Sequence, residues 1–379
     1  MTTTIEHPSH GAWWEKPVQT RDEHFASFDP ADFPGLSARQ PEWRLSPIDA
    51  LAVLSTGELD GGHYDVTVTN ADHEWVARAS VESEAGVPED LIGARAWTAT
   101  VDALVVTVSG EGEPARLVRT VDGVRGGHLV IRFAPNTHRT LIIENRGGAA
   151  LAENVDIQVG DGSNARVVHL GECEGSAIHA ATHIARIGKD AHLDHILVSL
   201  SGAIQRVNPS FLLAGNGSGV EALGVYFADR GRHVEHRVFV HHIAPQSKSN
   251  VLYKGALHGE STRTVWVGDV LIGRDATGTD SYEANRNLIL SDGARADSIP
   301  NLEIETGDIA GAGHASATGR LDDDHLFYLQ ARGISESEAR RLVALGFLLD
   351  VVGRVGDVAL EEHLTERFTA ALDAVEESR

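Results

Sequence analysis

Between about residue 61 and residue 310 the sequence breaks into short runs that alternate apolar and polar residues: HYDVTVT, LVVTVS, HLVIRF, RTLIIEN, NVDIQV, ARVVHL, HILVSL, VEALGVYF, HRVFVHHI, RTVWVGDVLI and NLEIET. Successive side chains of a strand point to opposite faces of its sheet, so period-2 alternation rich in Val, Ile and Leu predicts strands with a buried face. Between the runs stand small, turn-forming residues, GDGSN, GKDA, GNGSG, DRGRH and SDGARAD, without a strict repeat. Many short strands with such corners suit a β-solenoid, a sandwich or a propeller. The solenoid is favoured because no blade-length motif recurs and hairpin dipeptides are few, Asn216-Gly217 and Asp292-Gly293 being the exceptions.

The two flanks differ from this core. Residues 1–60 mix Pro, Asp and aromatic residues, with a short amphipathic piece around Trp43 and Leu51, and are expected to form an N-terminal cap region. After Thr318 the apolar period changes to that of a helix. Asp322 fits an N-cap, Leu326 and Leu329 face inward, and Gly333 suits the left-handed position after a helix end. Ser335 opens a second helix with Glu338 in the capping-box position, and residues 345–352, LGFLLDVV, are apolar nearly all round. Leu364, Phe368, Leu372 and Val375 mark a third helix. The expected layout is therefore a mainly β chain: a cap region over 1–60, a β core over 61–318 and a small helical C-terminal domain over 319–379.

A formal charge of −23 argues against nucleic acid or an anionic membrane as the natural partner. The start, MTTTIEHPSHGAWWEKP, lacks the basic and apolar regions of a signal peptide, and the longest apolar run, LVALGFLL, is too short to span a bilayer. A cytoplasmic protein is expected. One cysteine, Cys173, excludes an internal disulfide and any site built from several thiolates of this chain. Its neighbours Glu172 and Glu174 disfavour the thiolate, so it reads as an idle thiol or a small apolar residue.

Twenty histidines raise the question of a metal. Residues three apart on a strand face opposite sides, so the pairs in HLDH and HVEH cannot converge on one ion, whereas His179 and His183 of HAATH can share a face. Hydrogen-bonded or solvated strand histidines are the expectation. GDGSNA at 160–165 has dinucleotide-loop spacing but is followed by a strand, so it is expected to be a corner. There is no phosphate-cradling GK[ST] loop and no G-x-S-x-G elbow. The triplet Asp322-Asp323-Asp324 sits where acidic residues favour a helix start.

Residues 299–352, IPNLEIETGDIAGAGHASATGRLDDDHLFYLQARGISESEARRLVALGFLLDVV, resemble the C-terminal signature of the SufB/SufD family of the SUF iron–sulfur cluster assembly system, on its SufD side. The matching order is P-x-L-E-I, a histidine in a small-residue run, a Leu-Asp, an aromatic helix, an RGI turn and an apolar GF helix. SNVLYKGALHGESTRTVWVGDVLI, NRNLILSDGARADSIPNLEI and FPGLSARQPEWRLSPI extend the likeness over most of the chain.

The resemblance implies a right-handed parallel β-helix core that pairs with a SufB-like paralogue through its last turns. It also implies C-terminal helices that dock an ABC-type ATPase, SufC, with Phe327, Tyr328, Arg332, Gly333, Phe347, Leu348 and Leu349 at the dock and the last three exposed. His314 matches the family's interface histidine, a metal ligand shared with the partner subunit. No cofactor is implied to stay on this chain alone; iron or an iron–sulfur cluster would pass transiently through the interface with SufB. A homodimer is possible for the isolated chain. Gly313 replaces the hydroxyl or thiol residue that the family places before the histidine, so no second ligand is implied there; SufB-type flanking carboxylates and an additional core cysteine are missing, which favours the SufD side. The implied role is a non-enzymatic scaffold. The alternative from the strand pattern is a polysaccharide lyase or hydrolase on a β-helix, which needs paired carboxylates or a calcium-binding Asp cluster.

Overall fold

Each alternating run forms one strand, and consecutive strands of the core go to opposite sheets. The computed structural model describes residues 25–83 and 85–376, so residues 1–24 of the expected cap region, which include the segment read for a signal peptide, and residues 377–379 lie outside the described residues. One nine-stranded sheet holds β1 (Asp65–Thr69), β4 (Ala115–Thr120), β6 (His138–Arg146), β8 (Asn164–Gly171), β10 (His192–Ser199), β12 (Gly219–Ala228), β14 (Lys248–Leu257), β16 (Thr279–Ile289) and β18 (Ile309–Arg320). The other holds β2 (Asp72–Ala77), β3 (Asp102–Val108), β5 (Val124–Phe133), β7 (Ala150–Val159), β9 (Ile178–Ile187), β11 (Ile204–Leu213), β13 (His233–His242), β15 (Arg263–Ile272) and β17 (Arg295–Ile304).

From β3 onward every pairing between these strands is parallel, with Val124 opposite Ala150 and Arg263 opposite Arg295, and the register holds throughout except for one shift between Thr279 and Asp280 where β16 meets β18. This is a β-solenoid of about eight turns, and the chain is mainly β. Inward side chains such as Leu104, Leu129, Phe211, Tyr226 and Trp266 fill one continuous buried core between the sheets. The corners behave as read. Residues 160–163 join β7 to β8 with Gly162 at φ +68°. Gly217 (φ +69°) and Gly293 (φ +83°) are corners between strands of the two sheets and not hairpin turns; a left-handed residue serves a solenoid corner as well as a hairpin.

Two features depart from an unbroken run of parallel strands. β1 and β2 run antiparallel to β4 and β3 and close the first turn. Within the range read as strands, Leu91–Ala99 forms a helix, capped by the Asp90 carboxylate accepting from the Gly93 amide at 2.8 Å. Its nine residues are too few to reveal a period in the sequence. With α1 (Ile48–Ser55), this helix, α2, covers the outer face of the second sheet, where Trp43, Leu51, Leu54 and Ile92 pack on Ala152, Ala180 and Ile204.

The outer face of the first sheet is covered by the tail: α3 (Asp323–Gln330), α4 (Glu336–Val352) and α5 (Val358–Glu376). The expected caps are present. Asp322 accepts from the Asp324 amide at 2.8 Å, Ser335 from the Glu338 amide at 3.3 Å, and Gly333 has φ +86°. Leu348, Val351, Leu364 and Phe368 meet outward residues of the strands, among them Ile142, Val168, Ile196 and Phe227. Here one expectation is corrected. Leu348 is fully buried, and Phe347 and Leu349 are half-buried, because this face of α4 packs on the sheet and on its neighbouring helices while Leu342, Gly346 and Asp350 stay exposed on the other. The Lys254 ammonium stands 4.9 Å above the Phe347 ring and 2.6 Å from the Asp350 carboxylate.

Since a solenoid is stabilised turn by turn, Leu348→Ala should cost about 2–5 kcal/mol locally. Hydrogen exchange should quicken in α4 and α5 while β7–β15 keep their protection; equal loss in the strands would contradict this division.

Candidate functional site at the open end of the solenoid

The two ends of the stack are built differently. At its start the short, reversed strands β1 and β2 cover β4 and β3. At its far end β17 pairs only with β15 and β18 only with β16, so each presents one bare edge of backbone donors and acceptors among the described residues. Long uncovered edges are what soluble proteins avoid unless another strand is to pair there.

β18 reads IAGAGHASATGR, and nothing in such small residues signals a strand. The sequence therefore placed His314 in a join between the last strand, NLEIET, and the helices; it lies instead in the middle of a strand of its own. The strand exists through its pairing with β16, in which Gly313 stands opposite Tyr282 and His314 opposite Glu283. A Cβ on Gly313 would meet the Tyr282 ring at 3.4 Å, so the small residue lets strand and ring approach closely. His314 is exposed, as are Ala315 to Arg320, and Tyr282 is half exposed.

In-register neighbours on parallel strands point to the same face, so the Glu283 side chain is the one stacked beneath His314, a strand spacing of roughly 4.8 Å away. Glu283 is buried. Burial foremost, and then the Asp269 carboxylate, push its carboxyl up to about 8, with the Asn301 backbone pulling the other way. Beside it the floor of the open end is a neutral hydrogen-bond network. Tyr226 donates to Asn287 Oδ1 at 2.7 Å, the Asn287 amide donates to Asn285 Oδ1 at 2.7 Å and reaches Ser298 and Thr318, and Ser298 donates to Asn285 Oδ1 at 2.5 Å. Sequence reasoning missed Glu283, since a carboxylate in SYEANRNLIL gains meaning only from the strand stacked on it.

The remaining expected residues separate into two sets. β18 ends at Arg320 and α3 begins at Asp323, so α3 starts beside the open edge. Phe327 and Tyr328 on α3 are 73% and 55% exposed, and the Arg332 guanidinium lies 4.5 Å from the Tyr328 ring centre, before the Gly333 turn. These four are exposed on α3 and the turn after it; Leu348 belongs to the core, with Phe347 and Leu349 half-buried beside it. The acidic triplet caps α3, as expected. Cys173 is half-buried, its thiol pushed up to about 11 by burial first, with Arg119 opposing and Glu153 and Glu172 adding.

The buried histidines of β9 are hydrogen-bonded, as expected, His179 to Glu153 and His183 to His195. His179 and His183 do share the inner face of β9, both buried, yet they also meet His169 of β8 and Glu153 of β7. Spacing within one strand cannot show ligands brought together from three. Among the described residues no helix is long and apolar enough to cross a membrane.

The chain matches the family model described as SUF system FeS cluster assembly, SufBD core domain, over residues 118–347. It is 42% identical over 357 residues to an iron–sulfur cluster assembly SufBD family protein of Mycobacterium leprae, covering 90% of this chain and 91% of that one. A second SufBD family protein of the same organism is 26% identical over 194 residues, 51% of this chain and 22% of that one. The iron–sulfur cluster assembly protein SufD of Escherichia coli is 26% identical over 190 residues, 50% of this chain and 44% of that protein. A family match running from β4 through β18 and into α4, with near full-length similarity, makes this chain a member of the SufBD family of SUF-system iron–sulfur cluster assembly proteins.

Proposed function

We propose that the chain is a SufD-like scaffold subunit, without catalytic turnover of its own, that joins a SufB-like paralogue edge to edge across β17 and β18 and carries a SufC-type ATPase on its C-terminal helices. The observation that carries this is the bare double edge of β17 and β18 with His314 exposed on it, in a chain of this family. Two family members in one organism support a paralogous partner. A homodimer of the isolated chain would use the same edges. The setting is cytoplasmic.

Backbone pairing across the edge would supply affinity, and side chains at alternate positions would supply register. His314, on the rim, offers a ring nitrogen to iron or to a nascent cluster, which is cargo and not a resident cofactor. Thiolates must come from the partner, since Cys173, in the corner between β8 and β9, is the chain's one cysteine. Only Leu321 and Asp322 separate β18 from α3, so a movement of the ATPase-bearing helices reaches the His314 strand through a short link.

His314→Ala should leave the folded chain and its complex intact, because the side chain is exposed, while cluster-dependent enzymes in a cell relying on this system fall to the level of a strain lacking the chain. Full activity would make His314 structural; loss of the complex would move its role to partner binding. Phe327→Asp and Tyr328→Asp should each weaken ATPase binding by about 2 kcal/mol or more without changing the melting temperature, as for exposed aromatic anchors. Unchanged affinity would remove the dock from α3.

Glu283 yields a pH test. Its folded carboxyl titrates at about 8, above the ordinary carboxylate range, so it keeps its proton in the fold where the unfolded chain has lost it. Stability should therefore drop as pH rises from the ordinary range to about 8 and level off beyond. Glu283→Gln removes that titration and should melt higher than the native chain at pH ~9 but not at pH ~5. The same difference at both pH values would show that Glu283 is ionised in the fold.

A further inference from the structure

We propose that Glu153, His169 and His179, with His183 beside them, form a binding site for one divalent transition-metal ion enclosed within the solenoid. The site is separate from the open end and does not depend on the scaffold role.

A carboxylate oxygen and one ring nitrogen from each of the two histidines all lie within 4.8 Å of one another. All three residues are at most 4% exposed, and His183 is 1% exposed. They come from three consecutive strands: Glu153 from β7, His169 from β8 and His179 from β9, so the rigid stack itself sets their spacing. His179 Nε2 is 2.6 Å from Glu153 Oε1, and the His169 ring lies 5.5 Å from that of His179 and 5.1 Å from that of His183. Ligand atoms bound to one ion at roughly 2.1 Å stand about 3.4 Å apart, so modest side-chain rotation closes the set.

Two atoms here are buried with no hydrogen-bond partner among the described residues, Glu153 Oε2 and His183 Nε2. An unmet buried polar atom is costly and calls for an occupant, an ion or a water. Supporting groups are already in place behind the ligands. Arg119 donates to Glu153 Oε1 at 2.6 Å, leaving Oε2 free, and to Asn145 Oδ1 at 2.5 Å. Ligating carboxylates are oriented by contacts of this kind. The Asn145 amide nitrogen donates to His169 Nε2 at 2.6 Å, a bond that an ion held at that nitrogen would replace.

Protonation also suits a cation. Burial would raise the Glu153 carboxyl, but Arg119 and then His179 hold it well below the usual range, so it is ionised. Burial, foremost, pushes the His169 and His183 imidazoles well below theirs, so both are neutral. Neutral imidazoles and a carboxylate match Zn(II), Fe(II) or Co(II) better than Ca(II) or Mg(II), which take oxygen ligands. Arg119 offsets the carboxylate charge, which further disfavours ions held by charge alone.

Co(II) is the probe, because its visible absorption reports bonding to nitrogen and oxygen ligands. The full chain, unfolded and refolded with Co(II) and then dialysed, should retain one ion with visible bands, melt higher than chain refolded with chelator, and lose the bands to Zn(II). His314→Ala should retain the ion; His169→Gln and His179→Gln should lose it. Should those two variants fail to fold, the native chain decides. No retained Co(II) and identical melting with chelator would overturn the proposal, leaving water as the occupant, and so would folded His169→Gln and His179→Gln chains that retain Co(II) undiminished.

Discussion

Parallel in-register pairing is the interaction on which the rest depends. Each strand satisfies its backbone on the strands one turn before and one turn after, so a turn is stable only between neighbours, and the cost of an unpaired edge collects at the ends. The first turn meets that cost within the chain by reversing β1 and β2 onto β4 and β3. The last turn does not, and among the described residues β17 and β18 keep their outer edges bare. The same stacking that makes the core regular thus concentrates binding potential at one end, where His314 and the start of α3 also lie.

The stack places polar groups as strictly as apolar ones. Residues a turn apart sit one above another, so Glu283 comes under His314, while the facing sheets bring His169 of β8 to Glu153 of β7 and His179 of β9, which are two positions out of register with each other. A buried polar column of this kind is stable only where its members satisfy or neutralise one another, as Arg119 and Glu153 do at 2.6 Å with no exposure. Because the backbone fixes the spacing of these groups, a change of one residue alters electrostatics without moving its neighbours.

Much of the architecture was legible in the sequence. Val, Ile and Leu alternation marked eleven of the eighteen strands described, and Asp322, Ser335 and Gly333 marked the helix ends, because both signals are local. What escaped was non-local. β18 is built of Gly, Ala and Ser and is a strand only because β16 offers it an edge. The helix at Leu91–Ala99 was too short to show its period, and Leu348 seemed exposed because all-round apolarity does not say which side meets a sheet. His314 was visible through its resemblance to the family; Glu283 and the buried histidine cluster needed the register.

In the proposed assembly another chain's strands complete the open end. Hydrogen exchange of the backbone amides in Ile309–Arg320, measured for the isolated chain and again with the SufB-like paralogue bound, tests it most directly. Edge-to-edge pairing predicts that the outward amides of β18 slow markedly in the complex while those of β1, at the opposite end, do not change. A stable complex in which β18 and β17 exchange as fast as in the free chain would contradict it.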